Sequence, residues 1–85
     1  MRDFFLIFEY TDESVFHTIH QIRAQLDIQC KGRYNLLVGF NNRQNGLAQI
    51  YKLLGAPALI NMQNGRIMYG DSFQKDYFLN YLLDT

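Results

Sequence analysis

The sequence is short of several residue types on which common functions depend. Its 85 residues include one cysteine, one proline and no tryptophan, and 8 lysines and arginines balance 8 aspartates and glutamates. A single cysteine forms neither an internal disulfide nor a cysteine-based zinc cluster. Zero net charge gives no long-range field that attracts nucleic acid or anionic lipid. We therefore expect no metal, no nucleic-acid partner and no membrane partner.

Long hydrophobic runs are also missing. The apolar run at residues 4–8 stops at Glu9, and it is too short for a secretory signal or a membrane span. We therefore expect a cytoplasmic protein. Hydrophobic residues still make up 48% of the chain, which is too many for a disordered protein, and the length is that of one domain. The expectation is a single folded domain over residues 1–85.

The first half of the chain alternates strand and helix patterns. The apolar run at residues 4–8 predicts a strand that is buried on both faces. Helical spacing of apolar residues predicts a helix over about residues 14–27, and residues 34–40 predict a second strand. The helical stripe consists of Val15, Phe16, Ile19, Ile22 and Leu26. Such alternation favours parallel strands joined by a crossover helix.

The second half predicts a β-hairpin between two helices. Strands at residues 58–62 and 66–69 flank Asn64-Gly65, which predicts a type I′ turn with positive φ at both residues. The result is an α/β fold with the order β-α-β-α-β-β-α and a mixed four-stranded sheet flanked by helices.

The two helices of the second half are defined by their apolar residues. The short helix before the hairpin ends at Gly55 and has its apolar side at Leu47, Ile50, Tyr51 and Leu54. The last helix is expected to begin with Asp71 or Ser72 as its cap. Its apolar side consists of Phe73, Tyr77, Phe78, Tyr81 and Leu82.

One proline opens the predicted hairpin. Pro57 stands in the segment Gly-Ala-Pro-Ala-Leu-Ile at residues 55–60, ahead of the Asn-Gly turn and Gly70. With the element order, this segment resembles the thioredoxin fold over nearly the whole chain. The resemblance implies a cis Ala56–Pro57 bond that lies against the family's redox site, although X-Pro bonds in general favour trans.

The redox motif of thioredoxins is absent. Those proteins carry Cys-x-x-Cys between the first strand and the first helix, and the matching stretch here is Thr11-Asp12-Glu13-Ser14. Thiol–disulfide exchange requires an attacking thiolate, which a hydroxyl does not replace. Dithiol oxidoreductase activity is therefore strongly disfavoured, and no other catalytic constellation is visible, so the sequence leaves an enzymatic role open.

Several short segments are similar to a second thioredoxin-like group, the circadian clock protein KaiB and the sensor domain of the SasA kinase. They are residues 10–15 before the first helix, Lys-Gly-Arg-Tyr-Asn-Leu at 31–36, the Pro57 segment, and Gly-Asp at 70–71. Those proteins lack the redox pair and bind partner proteins. KaiB also switches between two folds, but Gln-Asn-Gly at 63–65 replaces its proline-rich hairpin stretch. The tight Asn-Gly turn argues against the fold switch in this chain.

The resemblance implies a protein-interaction module that needs no cofactor and binds a protein partner. The candidate interaction face combines the loop before the first helix with the proline turn and the start of the last helix. It consists of Tyr10, Thr11, Asp12, Ser14, Ala56, Pro57, Gly70 and Asp71. In thioredoxins the backbone beside the cis-proline pairs with an extended peptide, so Ala56 is expected to do the same.

Two other functions remain as alternatives. A glutathione-type ligand could bind beside Pro57, with the backbone amides of residues 70–72 attracting its carboxylate. A homo-oligomer could form if an edge strand paired with its own copy.

Five residues carry chemical groups but have simpler explanations. Cys30 is expected to be an ordinary free cysteine where the first helix ends, and His17 and His20 to be exposed on that helix without forming a metal site. Asp12 and Glu13 are expected to cap the first helix rather than to act as an acid–base pair.

Overall fold

The computed structural model describes residues 2–73 and 78–83, with the side chains of residues 78–80 outside this description. Its elements are β1 (Arg2–Glu9), α1 (Val15–Cys30), β2 (Tyr34–Asn41), α2 (Leu47–Ile50), β3 (Ala58–Asn61), β4 (Ile67–Tyr69), a 3₁₀ turn (Gly70–Ser72) and α3 (Phe78–Leu83). The expected α/β class is confirmed. Within the described residues, no helix has both the length and the apolar character that crossing a membrane requires.

The four strands form one mixed sheet in the order β2-β1-β3-β4. β1 is parallel to β2 and antiparallel to β3, so Leu6 lies between Val38 and Leu59. β3 and β4 form the antiparallel hairpin. The predicted burial of the first strand is confirmed, because Phe4, Leu6, Ile7 and Phe8 are fully buried at the centre of the sheet.

The two faces of the sheet are covered unequally. On one face, the side chains of β1 pack with α1 and α3 into a core that includes Phe4, Ile22 and Leu82. On the other face, the Phe5 ring contacts the Tyr51 ring edge-to-face at a centroid distance of 5.6 Å. Phe5 also lies directly over Gly39, where a β-carbon would stand 2.7 Å from its ring.

The buried stripe of α1 differs from the predicted one. Ile22 and Leu26 are buried as expected, but Phe16 is 82% exposed. Its place is taken by Thr18 and Cys30, which complete a row at four-residue intervals along the helix. Phe16 lies two residues before this row and so projects from the opposite side of the helix. The helix continues to Cys30 and ends at Lys31, whose φ of 53° is left-handed.

The second helix is shorter than its apolar pattern predicts. It ends at Ile50, and Lys52 has a positive φ of 56°. Gly55 therefore does not end a helix, and Leu54 is 91% exposed instead of facing the sheet. Leu47 and Tyr51 pack against the sheet, and the Ala48 N–H donates to Asn41 Oδ1 of β2 at 2.9 Å.

The hairpin turn also differs from the prediction. Gly65 has a φ of 76°, but Asn64 has no positive φ, so the turn is not type I′. The loop has four residues, 62–65, and is closed by hydrogen bonds from the Asn61 N–H to Arg66 and from the Gly65 N–H to Asn61. The Asn61 side chain accepts the Gln63 N–H at 3.0 Å, which stabilises this longer loop.

The C-terminal segment begins with a 3₁₀ turn rather than with the predicted helix. Asp71 and Ser72 lie within this turn, and the residues that either of them would cap lie outside the described ones. Phe73 is buried as expected, whereas Tyr81 is exposed with the Arg66 guanidinium 5.0 Å from its ring centre. Leu82 is also buried. The predicted apolar positions 77 and 78 lie outside the described residues and side chains.

Tyr34 links β2 to α1 through its hydroxyl, which donates to Asp27 at 2.7 Å. Burial raises the pKa of the Tyr34 phenol, and the hydrogen bond to Asp27 raises it further. Because the folded-state pKa is the higher one, this contribution to stability is complete below about pH 10 and is lost as pH rises toward the folded-state pKa. We expect the free energy of unfolding to fall less steeply above pH 10 in Tyr34→Phe than in the wild type, measured by urea titration. Equal slopes would contradict this assignment.

Candidate functional site

A cleft of about 610 Å³ lies where the start of α1 faces the segment before β3 and the end of β4. It brings together five of the residues predicted for the interaction face, which are Ser14, Ala56, Pro57, Gly70 and Asp71. Elements far apart in sequence therefore meet here because β3 and β4 pair at their ends, with Ala58 opposite Tyr69.

Pro57 and Gly70 form the tightest junction of the cleft. The Gly70 N–H donates to the Pro57 carbonyl at 2.9 Å. A β-carbon on Gly70 would lie 2.8 Å from Cγ and 3.0 Å from Cδ of Pro57, so only glycine fits here without a shift. The Ala56–Pro57 bond is cis, as the resemblance implies.

Ala56 lines this cleft. The residue is half-buried, and within the part of the chain that is described its N–H and C=O make no hydrogen bond. Leu54 also lines the cleft, where its N–H donates to the Tyr69 hydroxyl at 3.2 Å and its side chain is almost fully exposed. Among the described residues, the lining therefore combines a backbone donor and acceptor that have no partner with an exposed apolar side chain.

Three predicted residues lie outside this cleft. Tyr10 is exposed and lines a separate cleft of about 440 Å³ beside Asn41 and Arg43. Thr11 is exposed and lines neither of these clefts. Asp12 is not a lining residue either. The predicted face is thus divided at the loop after β1.

Asp12 orders this loop instead of capping the helix. Its Oδ1 accepts the Ser14 N–H at 2.8 Å and the Ser14 hydroxyl at 2.7 Å. Ser14 is the residue before α1, and no side chain caps the helix there. The capping prediction is therefore wrong, because the carboxylate bonds to a residue that precedes the first helical turn.

The cleft contains residues that the sequence analysis did not select. His17, Thr18 and Gln21 face it from α1, and Phe73 lies at its other side. The spacing of Ser14, His17, Thr18 and Gln21 follows one side of a helix, a signal that the sequence does contain.

The described hydrogen bonds include no serine–histidine pair. Ser14 donates its hydroxyl hydrogen to the Asp12 carboxylate rather than to His17. Cys30 lies at the other end of α1, where it is 9% exposed and packs in the core. Across residues 2–73 and 78–83, no three histidine, cysteine or carboxylate side chains are grouped to hold a metal ion.

No protein-family model matches the chain, and neither a curated protein nor a solved structure matches it. The cleft's own contacts therefore provide the basis for its function.

Proposed function

We propose that the chain is a thioredoxin-like domain without redox cysteines, of the KaiB and SasA sensor-domain type, which acts as a non-catalytic protein-interaction module. An extended segment of the partner protein binds in the cleft around Pro57. One observation carries the proposal: Ala56 lines this cleft, and among the described residues its N–H and C=O have no hydrogen-bond partner.

The arrangement of the sheet supports the thioredoxin-like part of the proposal. A parallel β1–β2 pair and an antiparallel β3–β4 hairpin share one sheet, and Pro57 immediately precedes β3. A regulatory role in the manner of KaiB is part of the proposal. So is a cytoplasmic location, because one unpaired cysteine is typical of reducing compartments.

The contacts available in the cleft favour an extended polypeptide. A strand that runs past Ala56 gains two main-chain hydrogen bonds, which do not depend on its sequence. Leu54 then supplies an apolar contact, because it is 91% exposed before binding. Covering a side chain of this size contributes about 1.5–3 kcal/mol. Backbone pairing thus provides affinity and the apolar rim provides selectivity.

The absence of a thiol at the site supports a role without redox turnover. Thr11 and Ser14 occupy the two positions where thioredoxins carry cysteine. Ser14 is held by Asp12, and Cys30 is buried elsewhere.

Peptides selected from a random display library against the wild-type protein test the proposal. We expect Leu54→Ser to weaken their binding about tenfold, since an exposed apolar contact is lost. Ile28→Ser is the matched control, because Ile28 is 71% exposed on α1 and does not line the cleft. The Ala56 amide signal in NMR spectra should shift on binding. Peptides that bind both variants equally and leave this signal unchanged would contradict the proposal.

Two assays distinguish the interaction module from the glutathione alternative. For the interaction module, we expect no reduction of insulin disulfides and no change in the melting temperature of the protein when reduced glutathione is added. Turnover that Cys30→Ser abolishes would replace the interaction module with a redox protein. Stabilisation by glutathione would replace it with a small-ligand protein.

A further inference from the structure

The outer edge of β2 is long and lacks the features that protect sheet edges. Within the described chain, β2 pairs on one side only, with β1. The strand has eight residues, Tyr34–Asn41, without a charged residue or a proline. Its register with β1 is continuous, so no bulge interrupts it. Natural edges are protected by charge, proline, bulges or shortness. The opposite edge, β4, has only three residues, but β2 has none of these protections.

The direction of its backbone groups follows from two hydrogen bonds. The Asn41 carbonyl accepts the Tyr10 N–H at 3.3 Å, so it points toward β1. The carbonyl of Phe40 accepts Asn45 Nδ2 at 2.7 Å on the other side. Because these directions alternate along a strand, Tyr34, Leu36 and Val38 point their N–H and C=O outward with Phe40. Tyr34, Leu36 and Val38 therefore offer a row of backbone donors and acceptors to another strand, whereas the Phe40 carbonyl already accepts Asn45 Nδ2.

We propose that two copies of the chain pair through these edges, antiparallel about a two-fold axis at Leu37, and form one eight-stranded sheet. This register places Leu36 opposite Val38 of the second copy and Tyr34 opposite Phe40. Leu36 and Val38 point their backbone groups outward, so they form a hydrogen-bonded pair. In the Tyr34–Phe40 pair the Phe40 N–H is the group that remains to donate, because the Phe40 carbonyl already accepts Asn45 Nδ2. Leu37 lies opposite its own copy in a non-hydrogen-bonded pair, in which the two side chains are closest. The cleft around Pro57 takes no part in this contact.

The side chains on both faces agree with this register. Leu36, Val38 and Tyr34 already pack at the margin of the core, so pairing extends the core across the two copies. On the other face, Leu37 is 59% exposed and is covered only by the second Leu37. A second copy is the occupant because the register places apolar side chains opposite each other in the Tyr34–Phe40, Leu36–Val38 and Leu37–Leu37 pairs. The remaining strand pair sets Asn35 opposite Gly39, and no charge on the strand selects a different partner.

Charge complementarity appears at the two ends of the paired strands. The register places the exposed Arg33 of each copy opposite Asn41 of the other. Asn41 Nδ2 already donates to the Glu9 carboxylate at 3.1 Å on this face. Each arginine therefore approaches a carboxylate of the second copy, and this contact occurs twice about the axis.

Sedimentation equilibrium of the purified wild type, and of two variants that place opposite charges at Leu37, tests the proposal. We expect the wild type to be a dimer. Leu37→Lys and Leu37→Glu should each raise the dissociation constant about tenfold, because like charges then face each other across the axis and the leucine contact is lost. An equimolar mixture of the two variants should restore the dimer. Ile28→Lys is the control for an added surface charge, because Ile28 is also exposed, at 71%, but lies on α1.

Other outcomes would overturn self-pairing through this edge. They are a wild-type monomer at about 1 mM protein, full dimerisation of both single variants, or a mixture that remains monomeric. A monomer would leave the edge open to a strand from another protein. Should a charged variant fail to fold by circular dichroism, Leu37→Cys provides the second measurement. It should oxidise to a covalent dimer in the wild-type background, whereas Ile28→Cys should not, and a monomeric Leu37→Cys would overturn the register.

Discussion

Replacing Asn61 with aspartate should cost about 3–5 kcal/mol of stability at pH 7, the range expected for an uncompensated buried charge. Asn61 is 3% exposed. Its Nδ2 donates to the Leu82 carbonyl at 2.9 Å, and its Oδ1 accepts the Gln63 N–H at 3.0 Å. In Asn61→Asp the donor becomes a carboxylate oxygen that faces the carbonyl oxygen of Leu82. The variant therefore loses a buried hydrogen bond and gains both repulsion and a desolvated charge.

The pH dependence of this variant gives the stricter test. Burial and the facing carbonyl raise the pKa of a carboxyl at this position above its unfolded value of about 3.9. The folded variant then binds more protons than its unfolded chain, so its stability relative to the wild type falls as pH rises through this range. The deficit should shrink as pH is lowered from 7 to about 4.5, measured by urea titration of both proteins.

Asn42→Asp is the control for the change of amide to carboxylate. The Asn42 Oδ1 accepts the backbone N–H groups of Gln44 and Asn45, so an acceptor alone is sufficient there. We expect its stability to stay within about 0.5 kcal/mol of the wild type. Equal losses in the two variants would show that the Asn61–Leu82 contact does not hold the hairpin against α3.

The sequence predicted the sheet better than the faces of its helices. The run at residues 4–8 identified β1 because a strand buried on both faces is apolar at every position. Phe16 and Leu54 were placed wrongly because an apolar residue within a helical pattern does not specify which side the sheet covers. The Asn61 contact with Leu82 joins residues 21 apart, so no local pattern contains it.

The candidate site was predictable only where it depends on the hairpin. Pro57 and Gly70 meet because β3 and β4 pair in the expected order. Tyr10 lies outside the cleft because its N–H donates to the Asn41 carbonyl at the end of β2. The Asp12 N–H turns back to the Glu9 carbonyl at 3.0 Å. The Tyr10 bond follows from the register of β1 against β2, whereas the Asp12 bond closes a local turn after β1, and the sequence specified neither.

Gly70→Ala, which adds one methyl group, should lower the free energy of unfolding by about 1–3 kcal/mol. This is the cost of overpacking a close contact. The new β-carbon would stand 2.8 Å from Pro57 Cγ, closer than side-chain carbons approach one another, so Pro57 or the 3₁₀ turn must move. Movement of either also strains the hydrogen bond from Gly70 to the Pro57 carbonyl. Gly70→Ala should also weaken the binding of the peptides that the wild-type cleft binds, because Gly70 and Pro57 both line the cleft.

Gly55→Ala separates this steric effect from the general effect of replacing a glycine. Gly55 lines the same cleft two residues before Pro57, but no atom lies within 4 Å of a β-carbon there and its φ is not positive. We therefore expect Gly55→Ala to be neutral, or more stable by about 0.4–1 kcal/mol through the unfolded chain. Urea denaturation of both variants measures the difference directly. If Gly70→Ala were as stable as Gly55→Ala, Pro57 and Gly70 could not be in the close contact on which the shape of the cleft depends.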